Sequence, residues 1–396
     1  MISIELLLLG AGLLLIISVL LSKASSMVGF PTLIVFLIIG MLLGSDGIVG
    51  IYFDNYLIVQ YISIFAMIII MFSGGIDTDF KRVRSIAAPG VILSTIGVLI
   101  TAIATGLFIH YIIGLDIIVS LLIGSIISAT DVAAVFSIFR PSNLKLKNNL
   151  DGLLEIESAT NDPMAYVLTT SFIYLALHPT TSVESIIFLL IQSLVIGLII
   201  GYFSGKLSAK LINFINLNSR GLYPVLLIGV AILTFACAEL IGGNGFLAVY
   251  ISSLLIGNSV LVNKRSQINF FDGLAWLMQI TMFIILGLLV FPKQLLPTAG
   301  ISLIIAIGLI LIARPLSVFL CLIPSKFNLK EKVFLSWTGI KGAVPIVFAT
   351  YPLVANISDA PMIFNIVFFI TIISVILQGS TVKFLAKKLN LIENIK

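Results

Sequence analysis

Apolar runs of about 17 to 25 residues, long enough to cross a hydrocarbon core as helix, recur along the whole chain. They occupy 3–22, 28–44, 56–73, 86–109, 116–139, 150–177, 184–213, 222–240, 243–262, 270–290, 297–322, 332–355 and 362–386. Backbone polar groups in lipid must be satisfied within the segment, so such runs become helices rather than loops or open sheets. The predicted fold is an all-α polytopic membrane protein with thirteen transmembrane helices. Only Gly242-Gly243-Asn244-Gly245 separates the eighth span from the ninth. The first run lacks a basic leader and reads as a retained helix. At 60% hydrophobic and 10% charged residues, the chain lies far from a soluble domain, which carries ~25% charge.

The basic residues orient the spans. Nineteen of the 22 fall after odd-numbered spans, among them Lys81, Arg82, Arg84, Arg140, Lys145 and Lys147, while loops after even spans hold Asp46, Asp54, Asp116, Glu184 and Asp359. The positive-inside rule then predicts an N-terminus outside and a C-terminus in the cytoplasm, in the cytoplasmic membrane. The net charge of +5 is spread over short loops and does not suggest nucleic acid. Cys237 and Cys321 lie within spans, so neither a disulfide framework nor a metal-ligand cluster is expected.

Charge inside the spans is concentrated. Asp131 lies in span 5, Glu157 and Asp162 in span 6, Arg314 in span 11 and Lys341 in span 12. With span 7 as connector, two six-helix halves would enter the membrane in opposite senses, which predicts the inverted repeat of secondary transporters. Two spans also look broken. Span 5 contains Ser128-Ala129-Thr130-Asp131, and span 12 contains Gly339-Ile340-Lys341-Gly342-Ala343-Val344-Pro345. Pro345 removes a backbone donor, and unwound backbone at this depth must face protein or a water-filled cavity. Asp131 would suit the N-terminal end of one half-helix and Lys341 the C-terminal end of its counterpart.

Span 6 carries the run Glu157-Ser158-Ala159-Thr160-Asn161-Asp162-Pro163. A charge at bilayer depth costs between ~2.5 and ~17 kcal/mol, depending on the reference, so two within one and a half turns need partners or a use. Glu157 and Asn161 share one helical face, with Ser158 and Asp162 on the adjacent stripe. This strip of oxygens is the candidate cation site. Asp162 is the expected exchanging carboxylate, able to hold a proton or a hard monovalent cation (Na⁺ or K⁺) but not both. Thr130, Ser158 and Asp131 are candidate oxygen ligands. Glu157 is the expected structural charge, with Arg314 as its best partner through a bidentate contact and Lys341 as the rival. Asn161 coordinates without titrating, so one proton would exchange for one cation without net charge movement.

Thr130-Asp131, Glu157-Ser158-x-x-Asn161-Asp162, Arg314-Pro315 and Gly339-Ile340-Lys341-Gly342-Ala343-Val344-Pro345 together resemble the NhaP-type branch of the monovalent cation:proton antiporters. The likeness spans essentially the whole chain, and Ser336-Trp337-x-Gly339 onward looks like the CvrA-type members, often potassium/proton antiporters. The resemblance implies a homodimer with the NhaA/NhaP-like fold and no cofactor beyond the transported Na⁺ or K⁺ and H⁺. It also implies a role in pH homeostasis, and a core of about 86–177 and 297–386 moving, elevator-like, against a dimerisation part of about 1–80 and 184–290. In that family the residue matching Asp162 binds the ion, the Thr-Asp pair and the serine matching Ser158 assist, and the Glu157-like residue pairs with the Arg314-like one. Lys341 stands where those members usually carry Arg. They commonly continue into a cytoplasmic regulatory domain, whereas this chain ends about ten residues after its last span.

The reading is thus a secondary active transporter and not an enzyme: no His-rich metal set and no serine–base pairing stands out. The alternative on the same fold is a gated cation channel or a ligand-regulated K⁺ efflux subunit.

Overall fold

The computed structural model describes residues 4–28, 32–131, 135, 145–215 and 217–393. These form α1 (Ile4–Val28), α2 (Thr32–Leu43), α3 (Tyr56–Asp77), α4 (Ala87–Ile113), α5 (Ile117–Ile126), α6 (Leu150–Leu177) and α7 (Val183–Ile215). There follow α8 (Leu222–Leu240), α9 (Gly245–Gly257), α10 (Lys264–Leu288), α11 (Pro292–Cys321), α12 (Leu329–Trp337), α13 (Ala343–Val354) and α14 (Ala360–Lys388). No strand occurs among the described residues, and the lone bridge joins Leu146 to Ile392. Of these helices, α3, α4, α7, α8, α10, α11 and α14 are each long and apolar enough to cross a membrane. Residues 132–134 and 136–139 of the fifth span, and Arg140 after it, lie outside the described residues.

Short polar side chains start several helices by taking up amides that the first turn leaves without partners. Asp116 accepts from Ile118 N (2.8 Å) at α5, and Asn244 accepts from Leu247 N (2.9 Å) at α9. Asn328 and Glu331 form a reciprocal capping box at α12. Two π-helical turns widen α4 and another, Leu309–Ala313, widens α11 immediately before Arg314. Such turns re-aim the residues that follow them.

Two sets of helices pack mainly among themselves. One comprises α2, α3 and α7–α10; the other comprises α4–α6 and α11–α14. They meet where α6 touches α7 and α9, and where α13 touches α3. With lipid outside, helices gain little from hydrophobic burial against each other, so small residues that permit close approach dominate their contacts. Gly197, Gly201 and Gly205 lie four apart on the buried face of α7 against the α9 backbone. A Cβ on Gly201 would come within 2.6 Å of Ala248 O.

Overpacking of this kind costs about 1–3 kcal/mol. Gly201→Val should therefore lower the melting temperature of the detergent-purified protein, measured by thermal-shift fluorescence. Gly229→Val, where an added Cβ meets nothing within 4 Å, should leave it unchanged.

Candidate ion-binding site

Helix α5 stops at Ile126, a turn follows at 127–128 in which Ile127 N still donates to Ile123 O, and residues 129–131 run on irregularly. The helix of span 12 is likewise interrupted: α12 ends at Trp337, α13 begins at Ala343, and 338–342 are unwound between them. Pro345 is not at the break itself. It occupies the first turn of α13, where a missing N–H has no intrahelical acceptor to lose.

The two unwound segments cross. Asp131 N donates to Ile340 O at 2.7 Å. The Lys341 ammonium reaches back to the end of α5, donating to Ser128 O (3.3 Å) and Ala129 O (3.0 Å). In the opposite sense the Asp131 carboxylate packs on Gly342, immediately ahead of α13, and a Cβ there would collide with it. A cation thus sits at a helix C-terminus and an anion at a helix N-terminus, the favourable polarity for both dipoles. Lys341 is buried, and its backbone N–H donates to Ser374 Oγ at 2.9 Å. Gln378, one turn further along α14, donates its Nε2 to Trp337 O at 2.8 Å and accepts from Ser374 at 2.5 Å. Ser374 and Gln378 satisfy the unwound backbone and escaped the sequence reading; their only signal was a polar i, i+4 pair in the last span.

Helix α6 brings its oxygen strip to this crossing. Asn161 donates to Thr130 Oγ1 (2.6 Å) and Thr130 O (3.1 Å), and Ser158 Oγ donates to the same carbonyl at 3.2 Å. Both donors of Asn161 point into the break, so its carbonyl oxygen remains over. Asn161 Oδ1 and Asp162 Oδ1 are buried without a hydrogen-bond partner among the described residues. A buried oxygen left so costs about 1–3 kcal/mol, more when charged. Acceptors without donors suit a bound proton or a hard cation, which takes oxygen ligands. Pro163 follows directly and cannot donate to Ala159 O. Thr130, Asp131, Ser158, Asn161 and Asp162 are therefore gathered by one crossing.

Glu157 and Arg314 stand apart from the strip as a buried pair. Of its two candidate partners, Glu157 meets Arg314: Nη2 lies 2.5 Å from Oε1. The contact is a single charge approach, not the expected fork. Neither Glu157 oxygen nor Arg314 Nε makes an aligned hydrogen bond among the described residues, and Nη2 also reaches Leu335 O at 3.4 Å. Gly339 makes room, since a Cβ there would lie 2.7 Å from Arg314 Nε. Glu155 instead pairs with Arg82 near the start of α6.

The sodium/hydrogen exchanger transmembrane family matches residues 13–388. The chain belongs to that family. It is a family of exchangers, not of enzymes. The chain is 41% identical over 389 residues to the K(+)/H(+) antiporter NhaP of Alkalimonas amylolytica, covering 98% of this chain and 68% of that protein. To the K(+)/H(+) antiporter NhaP2 of Shewanella oneidensis it is 38% identical over 368 residues, covering 92% and 64%. It thus spans about two thirds of the length of these relatives. The sodium proton antiporter MjNhaP1 of Methanocaldococcus jannaschii, whose structure is solved, superposes with a TM-score of 0.83 at 26% identity, covering 96% of this chain and all of that one. Within this exchanger fold the crossing of the two unwound segments is the buried polar centre described above.

Removing one partner of a buried pair strands the other charge, at about 3–5 kcal/mol. Arg314→Ala should lower the melting temperature in detergent strongly, and Glu157→Gln/Arg314→Met should recover much of the loss. Normal melting of both Arg314→Ala and Glu157→Gln would mean that the pair carries no stability.

Proposed function

We infer that this protein exchanges protons for Na⁺ or K⁺ across the cytoplasmic membrane, with Asp162 as the shared site. The observation that carries this reading is the pair of buried, unpartnered oxygens, Asp162 Oδ1 and Asn161 Oδ1, beside two unwound helices whose end charges are already neutralised. The cavity has a use for one more positive charge. A proton on Asp162 supplies it, or a cation held by Asp162, Asn161 and nearby Thr130 and Ser158 oxygens. Occupancy by one excludes the other, and access from alternate faces turns that competition into exchange. One carboxylate beside a non-titrating amide gives one proton per monovalent cation, hence no net charge movement.

Movement of α4–α6 and α11–α14 against α2, α3 and α7–α10 is the natural way to alternate access, because the packing is dense within each set. The reading also comprises a thirteen-span inverted-repeat topology with the N-terminus outside, and a homodimer built on the first set of helices. Potassium is favoured by the K(+)/H(+) names of relatives at 41% and 38% identity, against 27% for the Na(+)/H(+) antiporter 1 of M. jannaschii.

In vesicles containing a pH-sensitive dye, an imposed K⁺ or Na⁺ gradient should drive proton movement in the parent, at a rate indifferent to membrane voltage. Asp162→Asn, which keeps the shape and removes the titrating group, should reduce that movement to the protein-free background. Undiminished exchange in the variant would remove Asp162 from the mechanism. Cation flux without proton movement in the parent would point to the channel alternative.

A further inference from the structure

Along α6, Ser158, Ala159 and Thr160 are partly exposed, residues 161–165 are buried, and Tyr166 is again partly exposed. Asn161 and Asp162 thus lie in a buried stretch of α6, and an aromatic cluster stands one turn beyond Asp162. Tyr166 has the i, i+4 spacing that puts both side chains on one face. Its ring stands edge-on to Phe246 (5.1 Å between centroids) and Tyr351 (5.7 Å), with Phe348 at 5.9 Å.

This aromatic cluster is anchored from the opposite set of helices. Tyr166 Oη donates to Glu239 Oε2 at 3.1 Å, and Glu239 Oε1 accepts from Gly245 N at 2.8 Å. Asn244, fully buried, caps α9 with its oxygen and donates Nδ2 to Pro163 O at 2.6 Å. The residue directly after Asp162 is thus held by Asn244 in the turn joining α8 to α9, and the residue one turn on by Glu239 at the end of α8. Gly242 turns there with φ of +76°, which L side chains rarely adopt. A carboxylate and an amide with every oxygen engaged are more than that turn needs to close, and both reach across the boundary between the two packing sets.

We propose that Tyr166, held by Glu239 and Asn244, is the seal over Asp162 on the side of the C-terminal half of α6. The Tyr166–Glu239 and Asn244–Pro163 hydrogen bonds must break, and the rings part, before the site can open to that face. Glu239 and Asn244 are positioning residues: they act on the ion through the helix that carries it. The inference rests on Asp162 being the ion site, as inferred above.

The test uses a thiol-free background, Cys237→Ser/Cys321→Ser. With Asp162→Cys added, a charged, membrane-impermeant thiosulfonate is applied to right-side-out and inverted vesicles. Modification should be rapid from one face only. Adding Glu239→Gln or Tyr166→Phe should raise the rate from the other face by roughly ten- to a hundredfold, the loss expected for a hydrogen bond to a carboxylate. In a second arm Asp162 is native, and Tyr166→Cys/Glu239→Cys is bridged by a reducible bifunctional thiol reagent. Bridging should stop cation-driven proton movement, and reductant should restore it. A merely structural brace would tolerate the bridge. Equal labelling from both faces before any seal residue is changed, unaltered labelling in both seal variants, or full exchange in the bridged protein would overturn the proposal. Labelling does not depend on exchange, so it decides the seal even if the parent moves no protons.

Discussion

Two helices that stop inside an apolar protein expose carbonyls at one end and amides at the other, and the rest of the molecule depends on how those ends are neutralised. At the crossing, the ammonium of Lys341 lies on the last carbonyls of α5, and the carboxylate of Asp131 lies against the start of α13. Each charge belongs to one broken segment and serves the other, so the breaks stabilise one another. Ser374 and Gln378 on α14 take up the remaining backbone groups at Lys341 N and Trp337 O. Once the dipoles are balanced by protein charges, Asp162 Oδ1 is left buried without a hydrogen-bond partner among the described residues.

The same economy explains the second pair of charges. Glu157 shares a helix with Asp162, but its direction leads to α11, where a π-helical turn delivers Arg314 at 2.5 Å. The guanidinium approaches this carboxylate and not the unpartnered oxygens of Asn161 and Asp162. Two acids little more than one turn apart have different surroundings because different helices face them. Gly339 and Gly342 take part in this by what they lack: one leaves room for the guanidinium, the other for the Asp131 carboxylate.

Close glycine contacts join α7 to α9, Gly201 on Ala248 among them, and Asn244, in the turn at Gly242–Gly245, reaches Pro163 O on α6. In the sequence that turn is only a separator between two spans. Asn244 in that turn and Glu239 just before it bond to Pro163 and Tyr166, 81 and 73 positions earlier in the chain.

Much was legible in advance, for a definite reason. Lipid allows helices and little else, so apolar length alone marked the spans, and the cost of intramembrane charge drew attention to Asp131, Glu157, Asp162, Arg314 and Lys341. Glycine and proline at mid-depth marked the interruption of span 12, though only the structure put Pro345 inside the next helix instead of at the break. What the sequence could not contain was partnership. That Glu157 meets Arg314 while Lys341 spans to Ser128 and Ala129, that Asn161 spends its donors on Thr130, and that Asn244 reaches Pro163 all depend on directions in space between helices far apart in the chain. Composition and periodicity determine which residues enter the membrane. Tertiary packing alone decides which of their charges pair with one another and which are left without such a partner.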